Sequence, residues 1–209
     1  MKHLLLPTIL AAGLMISGSA EAIDLTYTGM SLPNAATASI SVNGSSFRSV
    51  YAGQINFSSS NGSLSTYCGE ALSTLNGASN RYNVSQLTLS PTTNLGKAGT
   101  ILANNQAGAT TAAQQAGLQL AVWEAIYDGG ATFDASSAGF KAQNVSSEIL
   151  GFASQYYATF STTPTNGVTF FGSTGAGGQS QMTAVPEPMT VAALGMGSLV
   201  LLRRRRKSA

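Results

Sequence analysis

Two side chains stand out for the chemistry they could carry. Cys68 is the single cysteine of the chain, and Gln119 lies in an apolar stretch one helical turn before Trp123. A lone cysteine has no partner for an internal disulfide, so it is a buried apolar filler, a reactive thiol or a link between two chains. A primary amide inside a core needs hydrogen-bond partners, and without them it costs about 1–3 kcal/mol. The ordinary solution for Gln119 is a bond to a neighbouring stretch of backbone. The single histidine is His3, at the extreme N-terminus. If His3 leaves with a targeting peptide, the mature chain has no imidazole, which excludes Ser/His/Asp and Cys/His catalysis and zinc sites built from Cys and His.

Other titratable groups are sparse. Glu124 and Asp128 stand four residues apart and share a helix face, an arrangement ordinarily solvated. A glycosidase draws its two carboxylates from opposite sides of a cleft, so this pair makes a poor acid/base couple. Asp128 and Asp134 flank Gly129-Gly130 and offer oxygen ligands, but their spacing misses the EF-hand loop. No metal and no cofactor is expected.

The elements that must position Cys68 and Gln119 can be read from periodicity. Residues 24–28 and 37–42 alternate polar with apolar, and Asn43-Gly44 gives a turn before 47–57. A second Asn-Gly, at Asn61-Gly62, precedes 64–68 and puts Cys68 at a strand end; 84–89 adds one more strand. From Thr110 the period changes. Gln115, Gln119, Val122, Trp123 and Ile126 fall on one helical face, with Thr110 or Thr111 able to cap its start and Asp128-Gly129-Gly130 to end it. A further helix spans 145–157, 168–171 is a closing strand, and the glycine-rich 172–180 reads as a linker. Strands, then helices, then a strand indicate an α+β fold with antiparallel sandwich- or barrel-like strands and a helical part inserted in them or following them.

Both ends read as addresses. Residues 1–22 have a basic start at Lys2, an apolar run over 4–16 and a small-residue ending at Ala20-Glu21-Ala22, the pattern of a signal peptide. At the other end Val185-Pro186-Glu187-Pro188 precedes an apolar run over 189–202, followed by Arg203, Arg204, Arg205, Arg206 and Lys207. Fourteen residues of helix span about 21 Å, short of the ~30 Å hydrocarbon core, so the arginines would have to snorkel and hold the cytoplasmic side. With both ends removed, four basic and seven acidic residues remain over 23–188. The positive charge therefore belongs to the tails, and no nucleic-acid surface is expected. Charged residues make up 9% of the chain against roughly 25% in an average soluble protein, and 44% are hydrophobic, the opposite of a disordered composition.

The order of parts at the C-terminus resembles the PEP-CTERM sorting signal of Gram-negative bacteria: a Pro-Glu-Pro motif, an apolar helix and an arginine cluster. The resemblance implies that an exosortase handles the precursor during export, that 189–202 holds it transiently in the inner membrane, and that cleavage near the motif delivers the product to the cell surface or extracellular space. Domain boundaries on this reading are 1–22 for the signal peptide, 23–180 for the body and 181–209 for the sorting signal.

The body resembles the thioester domains of bacterial surface adhesins. These carry an aromatic or apolar residue followed by cysteine, and later a helix reading Thr-Gln-x-Ala-Val/Ile-Trp. Here Tyr67-Cys68 is followed fifty-one residues on by Leu118-Gln119-Leu120-Ala121-Val122-Trp123. Leu118 departs from the usual threonine, and Gly69 follows the cysteine where a bulkier residue is common. The resemblance implies an internal thioester between Cys68 and Gln119, walled by Tyr67, Ala121 and Trp123, that captures an amine on a partner protein or polysaccharide. Such capture is a single turnover and not enzymatic catalysis. The alternative is an extracellular-matrix or biofilm protein whose thioester-like domain associates without covalent chemistry.

Overall fold

Alternating runs at the start of the body become strands because each buries one face. In the computed structural model, which describes residues 22–32, 35–75, 79–164, 166–175 and 178–185, these are β1 (Ala22–Met30), β2 (Ala36–Val42), β3 (Arg48–Ala52), β4 (Ile55–Ser59), β5 (Gly62–Cys68) and β6 (Ser79–Gln86). Helices α1 (Asn94–Asn105) and α2 (Ala112–Tyr127) follow, then β7 (Phe140–Gln143), α3 (Ser147–Tyr157), β8 (Gly167–Ser173) and β9 (Gln181–Val185). Among the described residues β1, β4, β5, β9, β8 and β6 close, in that order, into an antiparallel barrel, and β3, β2 and β7 form a separate three-stranded sheet. The fold is α+β, as the order of elements indicates.

Helix α2 is the axis of the molecule. Thr111 caps it through a capping box with Gln114, which satisfies the free N–H groups of its first turn. Asp128 is its C-cap, and Gly129, at φ +67°, takes the left-handed turn that stops it. Residues 115–125 are all buried, so the helix has no solvent face. Gly117 lets α3 approach, since a Cβ there would stand 2.6 Å from Cβ of Phe152.

Two buried clusters meet across this helix. Leu25, Phe57, Cys68, Tyr82 and Phe171, from five barrel strands, share one with Trp123 and Leu120 of α2 and with Ile40 and Phe140 of the smaller sheet. Tyr67, Val168 and Met182 share the other with Ile101 and Leu102 of α1 and Leu118, Ala121 and Val122 of α2. The alternation of β5 thus sends Cys68 and Tyr67 to opposite sides of the sheet.

The structure departs from the sequence reading in four places, the first being the run 47–57, which divides into β3 of the smaller sheet and β4 of the barrel. Helix α1 lies in a stretch for which no element was expected; Thr93 caps it, and its glycines lie under close neighbours, with a Cβ at Gly99 falling 2.6 Å from both Leu87 and Leu89. Strand β7 closes the smaller sheet. Residues 181–185, read as the start of the sorting signal, form β9, which pairs with β8 over its whole length, so the expected linker over 172–180 becomes a hairpin connection. The described body therefore runs on to Val185. Pro186, Glu187, Pro188, the apolar run 189–202, Arg203–Arg206 and residues 1–21 lie outside the described residues. Among the described residues no helix is long and apolar enough to cross a membrane.

Candidate functional site

Cys68 ends β5 at the point where the barrel meets α2. It is 3% exposed and forms no disulfide. Gln119 projects from the middle of α2 and has no exposed surface. Its amide meets the Cys68 backbone edge to edge: the Cys68 N–H donates to Oε1 at 2.9 Å, and Nε2 donates to the Cys68 carbonyl at 3.0 Å. A glutamine amide has one acceptor and two donors in a plane, so it can stand in for a neighbouring peptide group at a strand end. Both Cys68 backbone groups are satisfied in this way, and the side-chain carbonyl of Gln119 is brought beside the residue that bears the thiol.

The thiol is buried in the apolar cluster that includes Trp123 and Tyr82. Burial pushes it up to about 12, partly opposed by a hydrogen bond from the Gln181 side chain, while the Glu70 carboxylate raises it further. Gln181 stands opposite Cys68 in the β5–β9 register and is fully buried. The segment after Cys68 is tied to the chain before β9 at several points. Gly69 N–H donates to the Ser180 carbonyl at 2.8 Å, Glu70 accepts from both the N–H and the hydroxyl of Ser180, and Gln179 donates to the carbonyls of Glu70 and Ser73. The Ala71 N–H donates to the Tyr127 hydroxyl at 3.0 Å, which fixes the same segment to the end of α2.

A pocket of about 260 Å³ opens onto this centre, lined by Cys68 and Trp123 together with Tyr27, Met30, Tyr51 and Leu75. Tyr51 is 66% exposed and Tyr27 37%, which places an aromatic rim around the opening. Trp123 therefore shares both a pocket lining and a buried cluster with Cys68. Tyr67 and Ala121 are fully buried in the other cluster and do not line the pocket. Leu118 packs in that cluster too, against the helix layer. A Cβ at Gly69 would meet the Ser180 carbonyl at 3.4 Å, so this loop leaves little room for bulk.

Glu124, on the same helix, is fully buried and is not among the residues that line the pocket. One carboxylate oxygen accepts the Asp134 N–H at 3.3 Å and the other has no partner. Burial, with the nearby Asp128 and Asp134, pushes its carboxyl up to about 8, against the single backbone bond that lowers it. Asp134 is committed to Ser136, accepting from both its N–H and its hydroxyl, which holds its carboxyl below the usual range. Among the described residues no three acidic, histidine or cysteine side chains gather as a metal would require.

Sequence reasoning passed over Thr66, Glu70, Gln179 and Gln181. Gln181 and Thr183 alternate with Met182 and Ala184, a pattern that ordinarily marks a strand with one wet face. Here Gln181, Met182 and Thr183 are all buried, so both faces of the strand are covered. The remaining signal was the clustering of two glutamines, Gln179 and Gln181, in an otherwise glycine- and serine-rich stretch.

No protein-family model matches the chain, and no curated protein matches it. Among solved structures, the N-terminal thioester domain of a surface protein from Clostridium perfringens is similar, with a TM-score of 0.49 and 11% sequence identity, covering 79% of this chain and 100% of that one.

Proposed function

We propose that this is an exported attachment protein in which Cys68 and Gln119 close an internal thioester that captures an amine. The observation that carries the proposal is the two-bond pairing of the Gln119 amide with the Cys68 backbone inside a dry core. In the closing step the Cys68 sulfur attacks Cδ of Gln119, the C–N bond breaks, and the thiol proton leaves with the nitrogen as ammonia. Negative charge develops on Oε1, and the Cys68 N–H already donates to that atom. On this proposal the departing nitrogen takes up the thiol proton.

Capture reverses the logic at the same carbon. A primary amine entering through the pocket attacks Cδ, the C–S bond breaks, the sulfur takes up a proton, and a stable amide remains at residue 119. Trp123 and the apolar walls keep water from competing. On this proposal the partner is an amine-bearing surface protein or polysaccharide, nothing is regenerated, and the chain is not an enzyme. The C-terminal parts complete the proposal. Val185-Pro186-Glu187-Pro188, 189–202 and Arg203–Arg206 form the signal by which an exosortase delivers the protein from the inner membrane to the cell surface.

One observation favours the second reading, a matrix protein with an open centre. Leu118 fills an apolar cluster where the thioester domains it resembles usually carry a threonine, so no hydroxyl is available there. Intact-mass measurement of the purified protein separates the two. A mass below the sequence by one ammonia, rising by one methylamine on treatment as a thiol appears, supports the thioester. A mass equal to the sequence, with Cys68 unchanged by methylamine, overturns it in favour of non-covalent association.

A further inference from the structure

The pocket leads to Cys68, but nothing inside it would hold an ammonium group, since no charged side chain is in its lining. Recognition of whatever carries the amine therefore falls to the rim. We propose that the carrier is a polypeptide, and that a lysine-bearing stretch of it adds as a strand to the open edge of β3 and lays the lysine side chain into the pocket. The covalent step rests on the proposed thioester, whereas the docking rests on the edge itself.

Among the described residues β3 pairs with β2 on one side and with no strand on the other. Val50 and Tyr51 are consecutive, so their side chains leave opposite faces of β3, yet both line the pocket. The pocket therefore meets β3 along the edge that β2 leaves unpaired. Natural edges are blunted by proline, bulges or lysines. β3 reads Arg48-Ser49-Val50-Tyr51-Ala52, runs in unbroken register with β2 and carries one charge, at its start. Exposed apolar surface gathers at the same place. Of the four large hydrophobic side chains exposed among the described residues, Tyr27 and Tyr51 line the pocket, and Phe47 lies four positions before Tyr51, on the same side of an extended chain.

Main-chain N–H and C=O groups at strand spacing are what such an edge binds, and a polypeptide has them whereas an amino sugar does not. A lysine also suits the passage, because its four methylenes lie along apolar walls and its amine is at the tip. Over 23–188 seven acidic residues outnumber four basic ones, which favours a cationic segment. A second copy of this chain is a poorer occupant. Its own β3 has no lysine, and of the described lysines Lys97 is buried and Lys141 lies in β7, whose outer side is bridged to Ser136.

The test compares amines on the full-length protein, with adduct formation read by intact mass. The probe is a capped heptapeptide, Thr-Val-Thr-Lys-Thr-Val-Thr, set against acetyl-lysine amide, which carries the same amine without a strand. Two or three main-chain hydrogen bonds should make the peptide react about tenfold faster or more at limiting concentration. In an added strand only alternate residues turn their N–H to β3. Of two peptides N-methylated on alternate residues, one in each phase, one should therefore keep the advantage and the other lose it. Phe47→Ser should lower the ratio of the peptide rate to the acetyl-lysine amide rate. No advantage for the peptide, or the same result in both phases, overturns the proposal. So does a dimer by sedimentation that Phe47→Ser dissolves, which would give the edge to a second copy. If the wild-type protein shows no ammonia deficit, the thioester reading fails, and the docking is tested by the same peptides bearing a chloroacetyl group on the lysine nitrogen. These alkylate the free Cys68 thiol with loss of chloride, and the phase comparison is read as before.

Discussion

Gln119 and Glu124 lie five residues apart on one buried helix, both without exposed surface, and their polar atoms meet opposite fates. The Gln119 amide finds the N–H and the carbonyl of Cys68, one partner for each end. The Glu124 carboxylate finds one long bond from Asp134 and leaves its second oxygen unpartnered. The difference is between a group that carries its own donor and a group that only accepts. A neutral amide can match the exposed edge of a strand, whereas an ionised carboxylate in the same interior needs several donors or a cation. Glu124 has neither, so its charge is suppressed instead. The matched group is bonded to Cys68, which lines the pocket, whereas the mismatched one is bonded to Asp134, which does not.

The sharpest way to break this comparison is to remove the thiol. Cys68→Ala should abolish ammonia loss and methylamine uptake altogether, read by intact mass, while Glu124→Gln should leave both unchanged. Next in size is the pairing itself. Gln119→Leu strands the N–H and the carbonyl of Cys68 in a dry core, and at about 1–3 kcal/mol for each unsatisfied group the loss should be several kcal/mol by chemical denaturation. A stability equal to wild type would show that the two hydrogen bonds do not hold the strand end to the helix.

A smaller effect is expected at Glu124, and it depends on pH. A carboxyl raised in the fold from 4.5 to about 8 favours the folded state fully below its unfolded pKa, and that contribution is lost as pH rises through about 8. Wild-type stability should therefore decline between pH 5 and 8 by on the order of 1–3 kcal/mol. Glu124→Gln, neutral throughout, should flatten that decline; an equally steep profile in the variant would assign the pH dependence elsewhere. The smallest effect concerns the helix that carries both groups. Thr111→Ala removes the cap of α2 and should cost about 1 kcal/mol in thermal or denaturant unfolding, without altering methylamine uptake at fixed folded fraction.

Local rules reached much of the frame. Thr111 and Asp128-Gly129 bounded α2 because capping and left-handed termination depend on the residues that perform them. Asn43, at φ +49°, and Gly44, at +76°, made the turn after β2 for the same reason. Helix α1 was missed because Gly96, Gly99 and Thr100 carry poor intrinsic helix propensity. Its stability comes from packing, as with Gly99 beneath Leu87 and Leu89, and from buried Lys97, whose ammonium donates to the carbonyls of Gly129 and Gly130 beyond the end of α2. Strand β9 was missed although Gln181 and Thr183 alternate with Met182 and Ala184, because that stretch was assigned to the sorting signal that follows it.

At the site, sequence alone singled out Cys68 by its uniqueness and Gln119 by its place on an apolar helix, and placed Trp123 one turn from the glutamine. Residue type and helical spacing suffice for that, since both are properties of the chain before it folds. Tertiary structure decided the rest. It paired the Gln119 amide with the Cys68 backbone across fifty-one residues, and it joined Thr66 to Gln181, 115 positions on, in the strand pair that ends at Cys68. It also separated Tyr67 from Cys68, neighbours in the chain, onto opposite sides of one strand. Hydrogen-bond partners for a buried group are chosen by whichever backbone edge or side chain the closed barrel presents to it, and that closure exists only when distant strands have met.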